Sequence, residues 1–175
     1  MSTTTHPELT PTQRAFRAAM SNLSAAVNIV TTDGPRGPAG ITVSAACSVT
    51  DSPPTMLVCV NRSSYTHDFF VENKRVGVNV LGAEHEPIAM RFAGASDVSM
   101  GDRLSEPEWE HDSHGVPVLR DAVATVIGRV ADHRSHGSHT VLFVEVDAVN
   151  SRDDTGGLVY FQRRFHTLHP TELSA

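Results

Sequence analysis

Short apolar stretches separated by polar turns dominate the chain and predict a mainly β structure. In the segment 75–81, Val76, Val78 and Val80 alternate with small or polar residues, which is typical of a strand. β-branched and apolar residues mark the other strand candidates. The predicted strands are 26–32, 39–46, 56–61, 75–81, 122–132, 140–150 and 158–165. Many strands and few helices favour a closed antiparallel barrel, which leaves no sheet edge exposed.

Three short helices are expected beside these strands. Thr10, Pro11 and Gln13 have the spacing of an N-cap, a proline in the first turn and a reciprocal glutamine, which predicts a helix over 11–23. Two further helices are predicted over 65–73 and 86–92.

Proline, glycine and charged residues dominate 95–117, which is interpreted as a surface excursion. We expect one domain over residues 1–175, with the barrel and its helices at about 12–167. Flexible tails are expected at 1–10 and 168–175.

Composition narrows the class of protein. The chain has 175 residues, with 14 basic and 20 acidic side chains and a net charge of −6, which argues against a nucleic-acid or membrane-surface binder. An anionic ligand would need local donors. Cys47 and Cys59 are too few for a disulfide framework and indicate a reducing compartment. Without a membrane-length apolar run or a signal-peptide core, a cytoplasmic protein is expected.

Small residues and hydroxyls are concentrated over 40–64, at the ends of two predicted strands. Such a segment allows the backbone to approach a phosphorylated, planar ligand closely. The alternative is an ordinary hairpin with a hydroxyl-rich turn. The small residues are Gly40, Ala45 and Ala46, and the hydroxyl donors are Thr42, Ser44, Ser48, Ser63 and Ser64.

Several motifs follow one another in a recognisable order. They are GITVSAACSVTDSPP, MLVCV and NRSS within 40–64, then RVGVNVL, RFAG, GSHTVLFVEV and GLVYFQRRFH. In this order the chain resembles the short-chain flavin reductases, which have an FMN-binding split-barrel fold, over about residues 16–166. The resemblance implies a homodimer that reduces FAD or FMN with NADH, with NADPH as the alternative reductant, and releases reduced flavin to a separate aromatic-ring monooxygenase.

The resemblance also implies the cofactor-binding residues. Arg91 is the expected charge partner of a flavin phosphate. The implied flavin contacts are Gly40, Thr42, Val43, Ser44, Cys47, Ser48, Asn61, Arg62, Ser63, Ser64, Arg91, Phe92, Ala93 and Gly94.

A nicotinamide contact is implied for His139, Tyr160 and Arg163. His139 would orient the nicotinamide without serving as an acid or base. Many relatives carry Gly-Asp-His where this chain has Gly137-Ser138-His139, so any role of that carboxylate is in question. The glycine-rich segment 34–40 lacks the dinucleotide fingerprint, which argues against Rossmann-type NADH binding.

Other functions remain open from the sequence. A flavin-retaining oxidoreductase and a non-catalytic flavin-binding module would use the same motifs. His133, His136 and His139 recur at intervals of three and could instead form a hydrolytic zinc site. In a strand, that odd spacing sends successive side chains to opposite faces, so no metal site is predicted.

Overall fold

The structure, a computed structural model, describes residues 8–94, 98–153 and 155–170. Four α-helices are described, together with a 3₁₀ turn at Ala83–His85. The helices are α1 (Pro11–Met20), α2 (His67–Asn73), α3 (Glu86–Phe92) and α4 (Met100–Leu104). The strands are β1 (Ala25–Ala26), β2 (Asn28–Thr32), β3 (Ala39–Val43), β4 (Ala46–Asp51), β5 (Pro54–Asn61), β6 (Arg75–Val80), β7 (Trp109–His111), β8 (Pro117–Leu119), β9 (Ala124–His136), β10 (His139–Ser151), β11 (Gly157–Phe161) and β12 (Arg164–Leu168).

One large antiparallel sheet organises the described residues. Its seven strands lie in the order β3-β2-β6-β9-β10-β5-β4. A three-stranded sheet has the order β1-β11-β12, and β7 pairs with β8. The predicted mainly β fold is confirmed. No helix of the described residues has the length and apolar character needed to cross a membrane.

The large sheet curls back on itself between β3 and β4. These strands form its two edges, yet only Ser44 and Ala45 separate them in the chain. Three Cα–Cα steps span at most about 11 Å, so the end of β3 and the start of β4 lie close together. Among the described strands, however, β3 does not pair with β4, so no strand pairing closes this sheet into a barrel as predicted. The single strand predicted over 39–46 is wrong because the chain passes from one edge to the other there.

Two apolar clusters fill the two faces of the sheet. All five residues of β2 are buried. Ile29 belongs to a cluster with Phe92 and Trp109, whereas Val30 belongs to a cluster with Phe70. Successive residues of a strand point to opposite faces, so β2 contributes to both clusters.

Helix α1 begins as predicted. The Thr10 hydroxyl accepts a hydrogen bond from the Gln13 backbone N (3.1 Å), and the Gln13 side-chain oxygen accepts one from the Thr10 backbone N (2.8 Å). The helix ends at Met20, three residues earlier than predicted, and none of its residues is buried. The apolar side of this amphipathic helix is therefore not buried in the core of the described residues.

The segment predicted as a surface excursion contributes to the core. Residues 95–97 lie outside the described residues, but the rest includes α4 and the β7–β8 pair. Leu104 and Trp109 are buried in the apolar cluster beside α3, and Val116 is wholly buried. The prediction is wrong because frequent charges and prolines concealed a few well-spaced apolar residues.

The closing segment is a hairpin and not one strand. Gln162 (φ 48°) and Arg163 (φ 62°) form the turn between β11 and β12. Tyr160 consequently pairs with Phe165. The single strand predicted over 158–165 is therefore wrong beyond residue 161.

The expected tails are described only in part. Thr10 caps α1 and Leu168 ends β12, while 1–7 and 171–175 lie outside the described residues.

Candidate functional site

A cavity of about 730 Å³, here called cavity A, brings together residues from distant parts of the chain. Its walls come from β3, the loop after β5, the end of α3 and the start of α4. The lining residues are Gly40, Ile41, Ser63, Ser64, Tyr65, Thr66, Phe92, Ala93, Gly94, Val98, Ser99, Met100 and Arg103. Six of the residues with a predicted flavin role, namely Gly40, Ser63, Ser64, Phe92, Ala93 and Gly94, therefore share one cavity.

Hydrogen bonds hold the hydroxyl-rich loop of this cavity in place. The Asn61 side-chain oxygen accepts from the Ser63 N (3.0 Å) and from the Ser63 hydroxyl (2.9 Å). The Ser64 and Thr66 hydroxyls lie 2.9 Å apart. Asn61 thus stabilises the conformation of the loop, and Ser63 and Ser64 line the cavity.

Gly40 lies against the ring of Phe92. A Cβ atom at Gly40 would come within 2.9 Å of Phe92 Cε1, closer than packed carbon atoms approach each other. Phe92 is only 2% exposed and packs edge-on against Trp109, with ring centroids 5.4 Å apart. The absence of a side chain at Gly40 therefore allows Phe92 to form the floor of the cavity.

Arg103 is the arginine that lines cavity A. Its side chain is buried, and its Nε donates to the Val98 carbonyl (3.0 Å) and its Nη1 to the Arg91 carbonyl (2.9 Å). The guanidinium carbon lies 6.0 Å from the centroid of the Phe92 ring. The Arg91 guanidinium instead pairs with Glu108 at 2.8 Å, and Arg91 lines a separate cavity of about 280 Å³.

Sequence reasoning missed Arg103 because it missed α4. The available signal was an N-cap: the Ser99 hydroxyl accepts a hydrogen bond from the Asp102 N at 3.2 Å. Serine followed three residues later by an acidic residue is a typical helix start. Tyr65 lay within a predicted helix, where nothing distinguished it as a cavity residue.

The remaining flavin candidates on β3 and β4 do not line cavity A. The Thr42 hydroxyl donates to the Ala89 carbonyl (2.6 Å) and so attaches β3 to α3. Val43 is buried in the core, whereas Cys47 and Ser48 are exposed on β4.

The two cysteines are free and lie near each other on the paired strands β4 and β5. Burial raises the pKa of the Cys59 thiol above its usual value, and the neighbouring Cys47 raises it further.

A second cavity of about 760 Å³, here called cavity B, lies between α1 and the β11–β12 hairpin. It contains Ser44, Tyr160 and Arg163, together with two arginines of α1, Arg14 and Arg17. Tyr160 packs against Phe165, with ring centroids 5.3 Å apart. Two predicted nicotinamide contacts therefore share a cavity with one predicted flavin contact.

His139 lies apart from cavity B. It is exposed, begins β10 and pairs with Asn61 of β5. Its Nδ1 is 2.9 Å from the Ser138 hydroxyl. Arg62 donates from its backbone N to the Ser138 carbonyl (2.9 Å) and from its side chain to the Gly137 carbonyl (3.2 Å). His139 is thus held beside the loop that forms the wall of cavity A.

The three regularly spaced histidines do not converge. His136 pairs with His139 across the β9–β10 hairpin, whereas His133 pairs with Leu142 further along. In the described part of the chain, no group of three or more His, Cys, Asp or Glu side chains is placed to hold a metal ion.

Comparison with known proteins gives consistent results. The model of the flavin reductase-like domain matches residues 20–169. The chain is 47% identical over 161 residues to the reductase component of 4-hydroxyphenylacetate 3-monooxygenase from Pseudomonas aeruginosa, covering 92% of this chain and 95% of that protein. It is 46% identical to the FMN reductase (NADH) RutF of Pseudomonas syringae, covering 93% and 90%.

A solved structure has the same fold. The flavin reductase component BorF of a bacterial two-component tryptophan halogenase superposes with a TM-score of 0.85 at 26% identity, covering 90% of this chain and 99% of that one. The family resemblance seen in the sequence is therefore confirmed. The motifs of the chain, its fold and these relatives all indicate the same family, and the chain belongs to the flavin reductase-like family.

Proposed function

We propose that this protein is an NADH-dependent flavin reductase that supplies reduced FAD or FMN to a separate oxygenase. The observation that carries the proposal is cavity A, where hydroxyls, a buried arginine and an aromatic floor from four chain segments lie together. Membership of the flavin reductase-like family supports it. The name of the Pseudomonas aeruginosa relative suggests 4-hydroxyphenylacetate 3-monooxygenase as the oxygenase.

The donors in cavity A fit a phosphate group. Ser63, Ser64 and Ser99 supply hydroxyls and Arg103 a guanidinium, and charge-assisted hydrogen bonds are the stronger kind. We assign to Arg103 the phosphate role expected of Arg91, because Arg103 lines cavity A whereas Arg91 lines a separate cavity. Arg91 would then position Arg103 through its carbonyl.

The flavin ring would lie beyond the phosphate, towards the exposed strand β4. Cys47 and Ser48 are exposed there, and Asn61 lies at the end of the neighbouring strand β5. Bound flavin and nicotinamide together supply the chemistry, a hydride transfer. The chain needs only to align the two rings, because hydride transfer at near-attack distance requires no acid or base from the protein.

His139 would orient the nicotinamide from the end of β10. Its place beside Asn61 sets it next to the proposed flavin site. Tyr160 and Arg163 would contact the rest of the pyridine nucleotide from cavity B. His139 and the pair Tyr160 and Arg163 lie in different parts of the subunit. This arrangement is consistent with a nucleotide site that a second copy of the chain completes.

A homodimer is therefore part of the proposal. Helix α1 leaves Phe16 (62%), Met20 (45%) and Leu23 just beyond it (65%) exposed. An unpartnered apolar side of this kind favours association. The chain would fold as one domain whose curled sheet is a split barrel. The need for NADH and the two free cysteines favour the cytoplasm.

Steady-state NADH oxidation tests the proposal. We expect turnover only with added or retained flavin, compared across FAD, FMN and riboflavin. A diffusible-flavin reductase loses its yellow colour on dialysis, because release requires an affinity near the micromolar range, about −8 kcal/mol. Colour that survives dialysis would indicate a flavin-retaining oxidoreductase. Flavin binding without NADH oxidation would indicate a binding module, and NADH turnover without any flavin would refute the proposal.

A further inference from the structure

Tyr65 lines the mouth of cavity A with its ring largely in water. It is 77% exposed, although it follows directly on the Ser63-Ser64 wall. Most large aromatic side chains are buried to a much greater extent. An exposed ring at the mouth of a cavity therefore offers contact area to a ligand.

The ring of Tyr65 packs against a second aromatic ring of the protein. Its centroid is 5.4 Å from that of Phe69 on α2, with the planes at 49°. The guanidinium of Arg36 lies 5.1 Å from the Phe69 ring, and Arg36 also pairs with Glu72 at 2.7 Å. The contact with Phe69, which Arg36 in turn supports, restricts the Tyr65 ring before a ligand binds, and this lowers the ordering cost of binding.

The chemistry of cavity A changes from its interior to its mouth. Among its lining residues, Thr66 and Arg103 are buried and Ser64 is half-buried, and their hydroxyl and guanidinium groups suit phosphate. The mouth has the phenol ring of Tyr65 and the apolar Val98. Anion donors followed by an exposed aromatic ring match a diphosphate followed by a purine base, because bases stack on aromatic faces.

We propose that Tyr65 is the stacking platform for the adenine of FAD and makes FAD the preferred flavin over FMN. The inference rests on the proposed flavin-reductase function. FMN ends at its first phosphate and would gain nothing from Tyr65. FAD carries a second phosphate, a ribose and adenine, and would gain the stacking contact.

Binding of FAD, FMN and riboflavin to the full chain tests this inference, with calorimetry or flavin fluorescence as the readout. We expect wild type to bind FAD more tightly than FMN. Tyr65→Ala should weaken FAD binding by about five- to 100-fold, the value of one base stacked on an aromatic ring. FMN and riboflavin should change by less than about twofold, as for an ordinary surface substitution.

Two further variants of Tyr65 distinguish stacking on an aromatic ring from contact with any large apolar side chain. Tyr65→Phe should keep the FAD preference, because it keeps the ring, whereas Tyr65→Leu should lose it. Val149→Ala serves as the surface control, since Val149 is 64% exposed on β10 and lines none of the cavities described here. Thermal unfolding of each variant shows whether the fold is intact.

The results distinguish this inference from the function on which it rests. Equal weakening of FAD and FMN, or a wild type that prefers FMN, would overturn the role of Tyr65. A higher Michaelis constant for NADH with unchanged FAD affinity would also overturn it, because Tyr65 would then bind the pyridine nucleotide. A protein that binds no flavin would instead refute the flavin-reductase proposal.

Discussion

His67 and Thr140 join the wall of cavity A to the hairpin that carries His139. His67 Nε2 on α2 lies 2.9 Å from the hydroxyl of Thr140, which is wholly buried in β10. On its other side, His67 Nδ1 lies 2.7 Å from Asp68. Thr140 also lies 3.0 Å from the Ser135 hydroxyl of β9. His139 is therefore anchored through the next residue in the chain.

Replacing His67 should affect NADH more than flavin. We expect His67→Ala to raise the Michaelis constant for NADH by about two- to tenfold, the usual net value of one hydrogen bond. Kinetics at saturating flavin measure the effect. His67→Gln should restore much of it, because the glutamine side-chain amide can still hydrogen-bond to the Thr140 hydroxyl. His133→Ala is the control on an exposed histidine. Unchanged NADH kinetics in His67→Ala would rule out the positioning role.

Substitution of His139 distinguishes a role in orienting the nicotinamide from a role in binding a metal ion. We expect His139→Ala to raise the Michaelis constant for NADH and to slow hydride transfer, with little change in flavin affinity. His133→Ala and His136→Ala should be nearly silent, and a chelator should have no effect. Stopped-flow reduction of bound flavin and metal analysis are the measurements. Ligands of one ion fail together, so three equally damaging substitutions with one zinc per subunit would contradict this prediction.

Arg103 should contribute to the binding of phosphorylated flavins. Arg103→Lys keeps the charge but loses the planar fork of donors, so we expect FAD and FMN to bind about ten- to 100-fold more weakly, the value of a charged hydrogen bond. Riboflavin lacks phosphate and should change much less. Direct binding measurements with the three flavins provide the comparison.

Arg91→Ala is the matched control for Arg103. Since Arg91 pairs with Glu108, its loss should shift all three flavins alike and by a small factor. Thermal unfolding accounts for any loss of stability in either variant. A phosphate-selective effect of Arg91→Ala, with none for Arg103→Lys, would return the phosphate role to Arg91.

His85 should make stability depend on pH. Burial lowers its pKa below the ordinary 6.5, and nearby Glu84 only partly opposes the shift. Its Nδ1 accepts a hydrogen bond from the Gly82 N (2.9 Å), which requires the unprotonated nitrogen. The unfolded chain therefore binds the proton more readily. The contribution is complete above a pH of about 6.5 and declines as the pH falls below that value.

Urea unfolding between pH 8 and 5 measures this contribution. We expect His85→Asn to flatten the decline, because an asparagine oxygen still accepts from Gly82 but does not titrate in this range. An identical pH profile in wild type and variant would show that other groups cause the loss.

The sequence predicted those elements whose signals are local. The Thr10–Gln13 capping box marked the start of α1, and the bounds of α3 were predicted correctly. The β11–β12 turn was missed because Gln162 and Arg163 have left-handed backbone without the glycine or asparagine that usually marks it. Arg103 was missed because its importance comes from burial, and burial depends on contacts distant in sequence.

Gly40 and Phe92 are 52 residues apart in the chain, but their contact means that a substitution at one position restricts which residues fit at the other. A relative with a side chain at the position of Gly40 must have a smaller residue, or a shifted helix, at that of Phe92. The two positions should therefore covary among relatives. An alanine introduced at Gly40 during engineering would need Phe92→Leu as its companion before the cavity floor could be rebuilt around a different ligand.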